Sequence, residues 1–205
     1  MRRLTAAAIV LLLLFLTFAF REAQKRQTLA AAYSDAPSLF VLIMAAASRG
    51  EFGSGDFRGN PNKLDLSLLE PGDILLGGNH GSSYGVFTHA GLYTGDNRVV
   101  DAGNSSGVYL AEAQDYHDYD WAAILRVKAG PGQKKAAVDY ALSQTGRPFF
   151  ILAPRKEDGL WYCTKLIWYS YLHQGINLDC SKGYWILPDS LLKSPLINVI
   201  CYSGE

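Results

Sequence analysis

Three residues of this 205-residue chain have the types and spacing for acyl-transfer chemistry: His89, Asp101 and Cys163. Cys163 stands near the start of "YCTKLIWYSYLHQG" (Tyr162–Gly175), whose apolar spacing and closing glycine predict a helix. In the first turn of a helix the backbone N–H groups and the dipole favour an anion, which makes a thiolate more accessible. An attacking thiolate needs a base to take its proton and a third group to fix that base's tautomer. His89 can be the base and Asp101 the orienter, provided both project from one face of a sheet.

Turn arithmetic tests that condition. "GVFTHAGLYTGDNRVVDAG" (Gly85–Gly103) reads as a hairpin with strands over Phe87–Thr94 and Arg98–Ala102. Gly95-Asp96-Asn97 between them is turn chemistry, and Asn97 tolerates the left-handed conformation. A three-residue loop sets Gly91 opposite Asp101, with His89 its diagonal neighbour at about 7–8 Å along the backbone. Gly91 leaves the space before Asp101 clear of a side chain. A two-residue loop would turn Asp101 to the other face and break the constellation.

The surrounding elements follow from pattern. "LDLSLLEPGDILLGG" uses Pro71-Gly72 to turn into a strand at Asp73–Leu76, and the polar loop "GGNHGSSYG" leads to the hairpin. Further strands are predicted at Gly107–Ala113 and Ala122–Lys128. The period then changes: "PGQKKAAVDYALSQTG" (Pro131–Gly146) opens on proline, aligns Ala137, Tyr140 and Ala141, and closes on glycine, which predicts a helix. After the Cys163 helix, "PDSLLKS" predicts a short helix and "LINVICY" a last strand. Strands first and helices after predict an α+β fold with a mainly antiparallel sheet.

The N-terminal "MRRLTAAAIVLLLLFLTFAFREAQKR" carries an uncharged run from Leu4 to Phe20 between basic flanks. Its length and poor cleavage site favour an uncleaved signal anchor over a signal peptide. The expected division is residues 1–26 as that segment, 27–63 as a helix (Ser38–Gly50) and linker, and 64–205 as the catalytic domain. That address puts the domain on the extracytoplasmic side, membrane-anchored or secreted. An oxidising compartment could pair Cys180 with Cys201 and leave Cys163 free, although three reduced thiols fit the composition as well. With 19 basic against 19 acidic residues and no basic run interleaved with aromatics, nucleic acid is excluded as a partner.

"PGDILL", "FTHAGLYTGDNRVVDA", "TGRPF" and "YCTKLIWY" together resemble the circularly permuted members of the NlpC-type, papain-like superfamily. Within it the YiiX/YaeF-like hydrolases are most similar, and the lecithin:retinol acyltransferase-like proteins are more distant. The resemblance spans Leu66 to Ile176 and implies a permuted papain-like fold in which the histidine strand precedes the cysteine helix. It implies Cys163 as nucleophile, His89 as general base, and Asp101 where relatives carry glutamate or another polar orienter. Lys165 replaces the glutamate of "CSEL" in relatives, a departure that bears on substrate preference.

The implied activity is that of a cysteine hydrolase cleaving amide bonds, in cell-wall peptides, through a thioacyl-enzyme and with no cofactor. The Cys163 backbone N–H and either Tyr162 or Tyr84 would hold the oxyanion. Two readings compete: a lipid-directed acyltransferase or thioesterase on the same fold, which the N-terminal membrane helix would help reach lipid, and a non-catalytic binding domain. Retention of Cys, His and a carboxylate argues against the last. Of the other histidines, His80 reads as solvated, His117 as surface and His173 as the favourable cation closing its helix. A metal site from His80, His89, Asp101 and His117 lacks any tight ligand pair to support it.

Overall fold

The computed structural model describes residue 55 and residues 61–82, 85–103, 106–181 and 183–204. The Leu4–Phe20 run, the Ser38–Gly50 helix and most of the linker expected before residue 64 lie outside the described residues. Among those described, no helix is long and apolar enough to cross a membrane.

Six strands form one sheet: β1 (Ile74–Gly78), β2 (His89–Gly95), β3 (Arg98–Gly103), β4 (Gly107–Glu112), β5 (Trp121–Val127) and β6 (Ile197–Ser203). Their order is β4-β3-β2-β1-β5-β6, and every neighbouring pair is antiparallel. The architecture is therefore α+β. Three helices follow the first five strands in the chain: α1 (Pro131–Ser143), α2 (Cys163–Leu172) and the single turn α3 (Pro188–Leu191).

Strand alternation divides the core in two. Ile74, Leu76, Ala90, Leu92, Val100 and Leu125 face α1 and α2, meeting Ala137, Ala141, Leu166, Ile167 and Tyr171. Leu75, Val99 and Ile124 point the other way, under Leu64 and under Ala113 and Tyr116 of a 3₁₀ helix (Ala113–Asp118). β1 is buried along its whole length because both faces are covered.

The hairpin between β2 and β3 departs from the expected turn. Asp96 and Asn97 alone form the loop, both in the left-handed region at φ 50° and 60°, and Gly95 pairs with Arg98. Tyr93 nonetheless pairs with Val99 and Leu92 with Val100, because a bulge at Thr94 adds one residue to β2. Continued one step, that register sets Gly91 opposite Asp101. The bulge restores the parity that a two-residue loop alone would have lost, so the expected pairing arises by a different route.

Asp96 is exposed. Asp96→Val should lower stability by about 1–2 kcal/mol, the cost of a bulky left-handed residue. Asp96→Gly should be neutral or stabilising, with denaturant midpoints separating the two.

Candidate functional site

The site assembles where two elements begin. His89 is the first residue of β2 and Cys163 the first of α2, after Tyr162 in an extended conformation. α2 is anchored near both ends: Thr164 Oγ1 donates to the Ile186 carbonyl, and Tyr171 OH to the Gly72 carbonyl at 2.5 Å. The first bond of the helix runs from the Leu166 N–H to the Tyr162 carbonyl, so the N–H groups of Cys163, Thr164 and Lys165 have no acceptor within the helix and leave a local positive end at the sulfur.

Asp101, mid-strand in β3, is almost wholly buried. His89 Nε2 lies 2.7 Å from its Oδ1, which also accepts from the Ala102 N–H at 2.6 Å. The Cys163 side chain lies near enough to the His89 ring to favour its protonated form. Aspartate is thus long enough to reach the ring. The structure brings Cys163, His89 and Asp101 together.

Burial alone would drive the His89 ring toward its neutral form. The charge and hydrogen bond of Asp101, then the Cys163 contact, outweigh burial and hold the imidazole protonated well above the ordinary value of 6.5.

Two tyrosines that pattern reading passed over complete the arrangement. Tyr116 OH donates to Asp101 Oδ2 at 3.2 Å. The Tyr116 and Tyr119 rings lie near-parallel to the imidazole, at 6.2 Å and 6.0 Å between centroids. Each needs a glycine beneath it: a Cβ on Gly91 would strike the Tyr116 hydroxyl, and one on Gly77 the Tyr119 ring. The space before Asp101 is therefore not empty; the Tyr116 hydroxyl fills it. "GDILLGG" and "THAGLY" held the signal, in glycines placed where buried strand residues would ordinarily carry side chains.

Other sequence candidates fall elsewhere. Tyr162 OH is buried and accepts from the Ile186 N–H at 3.1 Å, so its hydroxyl is committed to a neighbouring loop. Tyr84 lies outside the described residues. Lys165 is fully buried, with Nζ donating to the Glu157 and Leu160 carbonyls and lying 4.9 Å from the Trp161 ring. Burial pulls its pKa down to about 8 against the raising charges of Glu157 and Asp158. The lysine thus ties down the loop before Cys163.

His80 is not merely solvated: Nδ1 is 2.7 Å from buried Asp120 and the ring lies tilted against Trp121, 4.2 Å between centroids. His117 is half-buried, with Nε2 2.9 Å from the Leu64 carbonyl. His173 caps α2 and stacks on Tyr140.

All three cysteines are free. Of the two readings of the cysteines, the structure has the three free thiols and not the Cys180–Cys201 pair. Cys180 stands two residues after Leu178, which packs into the helix-side core, whereas Cys201 packs with the cluster on the opposite face of the sheet.

No family model matches the sequence. The uncharacterized protein YycO of Bacillus subtilis (strain 168) is 30% identical over 157 residues, 73% of this chain. The chain spans 63% of the length of that relative. The crystal structure of metalloprotein yiiX from Escherichia coli O157:H7 superposes with a TM-score of 0.56 at 14% identity, over 66% of this chain and 98% of that one. The chain has a yiiX-like fold. The word metalloprotein belongs to yiiX; among the described residues no group of three His, Cys, Asp or Glu side chains has the arrangement of a metal site. The four-residue set considered from sequence is dispersed, with His80 held by Asp120 and His117 by a backbone carbonyl.

In this yiiX-like fold the raised His89 value is a property of the folded state. The stabilisation it reflects is therefore present below 6.5 and lost as pH rises through the folded value. Denaturation curves should show wild type exceeding Asp101→Asn by roughly 1.5–3 kcal/mol, the range for hydrogen bonds to charged groups. That margin should hold from about pH 5 to the ordinary imidazole value and shrink in alkali. Gly91→Ala should cost about 1–3 kcal/mol by overpacking against Tyr116.

Proposed function

We propose that this chain is a cysteine hydrolase that cleaves amide bonds by acyl transfer. The observation that carries the reading is one imidazole whose Nε2 lies 2.7 Å from buried Asp101 and whose protonated form is further favoured by Cys163, at a helix start. The Cys163 thiolate, its proton already resting on the His89 ring, bonds to the substrate carbonyl carbon as the C=O π pair moves onto the oxygen. The Cys163 backbone N–H stabilises the oxyanion at the end of α2. As the tetrahedral adduct collapses, His89 passes the proton to the leaving amine and the C–N bond breaks. His89 then takes a proton from water, which attacks the thioester and releases the acid and the thiol. Asp101 keeps the ring oriented throughout and stabilises its charged form.

The chain order, with the histidine strand before the cysteine helix, supports a permuted papain-like arrangement. A signal anchor at residues 1–26 would set the domain outside the cytoplasm, which favours cell-wall peptides as substrates.

A second reading, cleavage or transfer of lipid acyl groups, is favoured by one observation. Val86, Ile151 and Leu187 are exposed apolar side chains on loops tied to the residues flanking Cys163. Ile186 bonds Tyr162 and Thr164, Trp185 donates to the Ile151 carbonyl, and Asp189 accepts from the Val86 and Phe87 N–H groups.

Incubation with murein peptides and, separately, with acyl lipids distinguishes the two by which carbonyl is cut. With whichever substrate turns over, Cys163→Ala should abolish cleavage and His89→Ala should lower kcat by about 10²–10⁴. Unchanged turnover in either variant would remove the proposal.

A further inference from the structure

The 3₁₀ helix carrying Tyr116 is held by a residue from the segment before the domain. Asn62 is buried, and its amide Nδ2 donates to the Tyr116 carbonyl at 2.7 Å and the Tyr119 carbonyl at 2.8 Å. Its Oδ1 accepts from the Leu64 N–H at 3.0 Å, so both ends of the amide are engaged and its orientation is set. One side chain thus fixes the backbone of the two tyrosines grouped beside His89.

From Asn62 the supports lead inward through the body of Tyr116. Tyr116 OH donates to Asp101 Oδ2, Asp101 Oδ1 lies 2.7 Å from His89 Nε2, and Cys163 lies near enough to that ring to favour its protonated form. The bulk of Tyr116 is seated against Gly91, so the hydroxyl has little room to find another place while its backbone is held.

We propose that Asn62 and Tyr116 are positioning residues for the Cys163–His89 pair, acting through the carboxylate of Asp101. This rests on the hydrolase reading. Tyr116 supplies the donor that pins the second carboxylate oxygen. Asn62 fixes where that donor stands. A carboxylate held at both oxygens keeps its charge directed at Nε2; freed at Oδ2, it can rotate and share the charge with other partners. The chain leading into the domain is thereby a structural part of the site, although it is distant in sequence from all three reacting residues.

The test follows the His89 ring by NMR titration in the full chain, with substrate turnover alongside. The titratable groups facing that ring are Asp101, Cys163, Tyr116 and Tyr119. Tyr116→Phe keeps the ring packing and should lower the His89 midpoint and reduce kcat about tenfold with KM little changed, the scale of one lost hydrogen bond to a charged group. Asn62→Ala should lower the midpoint in the same direction, and Asn62→Ser, which keeps one donor, by less. The double variant Asn62→Ala/Tyr116→Phe should fall no further than the larger single effect, since both act at one carboxylate oxygen.

His117→Ala removes a different support of the same segment, its bond to the Leu64 carbonyl, and should lower Tm with the midpoint unmoved. If Asn62→Ala does not fold, the Asn62→Ser and Tyr116→Phe pair carries the test. Asn62 variants that lower Tm while leaving the midpoint and kcat at wild-type values would overturn the proposal, as would fully additive effects in the double. A wild-type midpoint that His89 shares with an exposed histidine, with turnover intact in Cys163→Ala, would instead defeat the hydrolase reading beneath it.

Discussion

A carboxylate carried inside a protein is costly unless its oxygens find donors, and Asp101 is almost wholly buried. Its solution shapes the surrounding structure. One oxygen takes the Ala102 N–H and the His89 ring, the other takes Tyr116 OH. Each donor imposes a requirement of its own. His89 and Asp101 must share a face, which requires the Thr94 bulge to correct the parity of a two-residue turn. Tyr116 must descend onto the strands, which requires glycine at position 91. In return the charge of Asp101 holds the ring protonated despite burial, and Cys163 adds to that effect.

Much of this was legible from residue types and periods. The strand alternation, the change of period at Pro131 and the glycine closing the Cys163 helix all marked elements that the structure contains. Hydrophobic patterning is dictated by which face is buried, and that information is local. The hairpin register was reached through the wrong loop because Gly95-Asp96-Asn97 suits either a three-residue loop or a left-handed pair beside a bulge. A bulge leaves no composition signal apart from the turn it adjoins.

The partners of side chains were harder to read, because they are set by contacts between segments far apart in sequence. Asn62 and Tyr116 are separated by 54 positions and His80 and Asp120 by 40. No period links them. Lys165 stood out only as a lysine where relatives carry glutamate, and nothing in that comparison told that its side chain is turned into the loop below. The cysteine pairing failed for a related reason: nearness to the same end of the chain does not place two residues on the same side of a sheet.

The yiiX-like fold supplies a sheet with a helix start beside it, and chemistry depends on what those two ends carry. The central claim is that the Cys163 thiol and the His89 imidazole share one proton. Its most direct test is the rate at which a neutral alkylating agent modifies Cys163, followed across pH and assigned by peptide mass, in wild type and in His89→Ala. The account predicts that Cys163 in wild type reacts well ahead of Cys180 and Cys201 near the ordinary imidazole value of 6.5, and that this advantage disappears without His89. Superimposable profiles for the two proteins, or modification of Cys180 before Cys163, would contradict it.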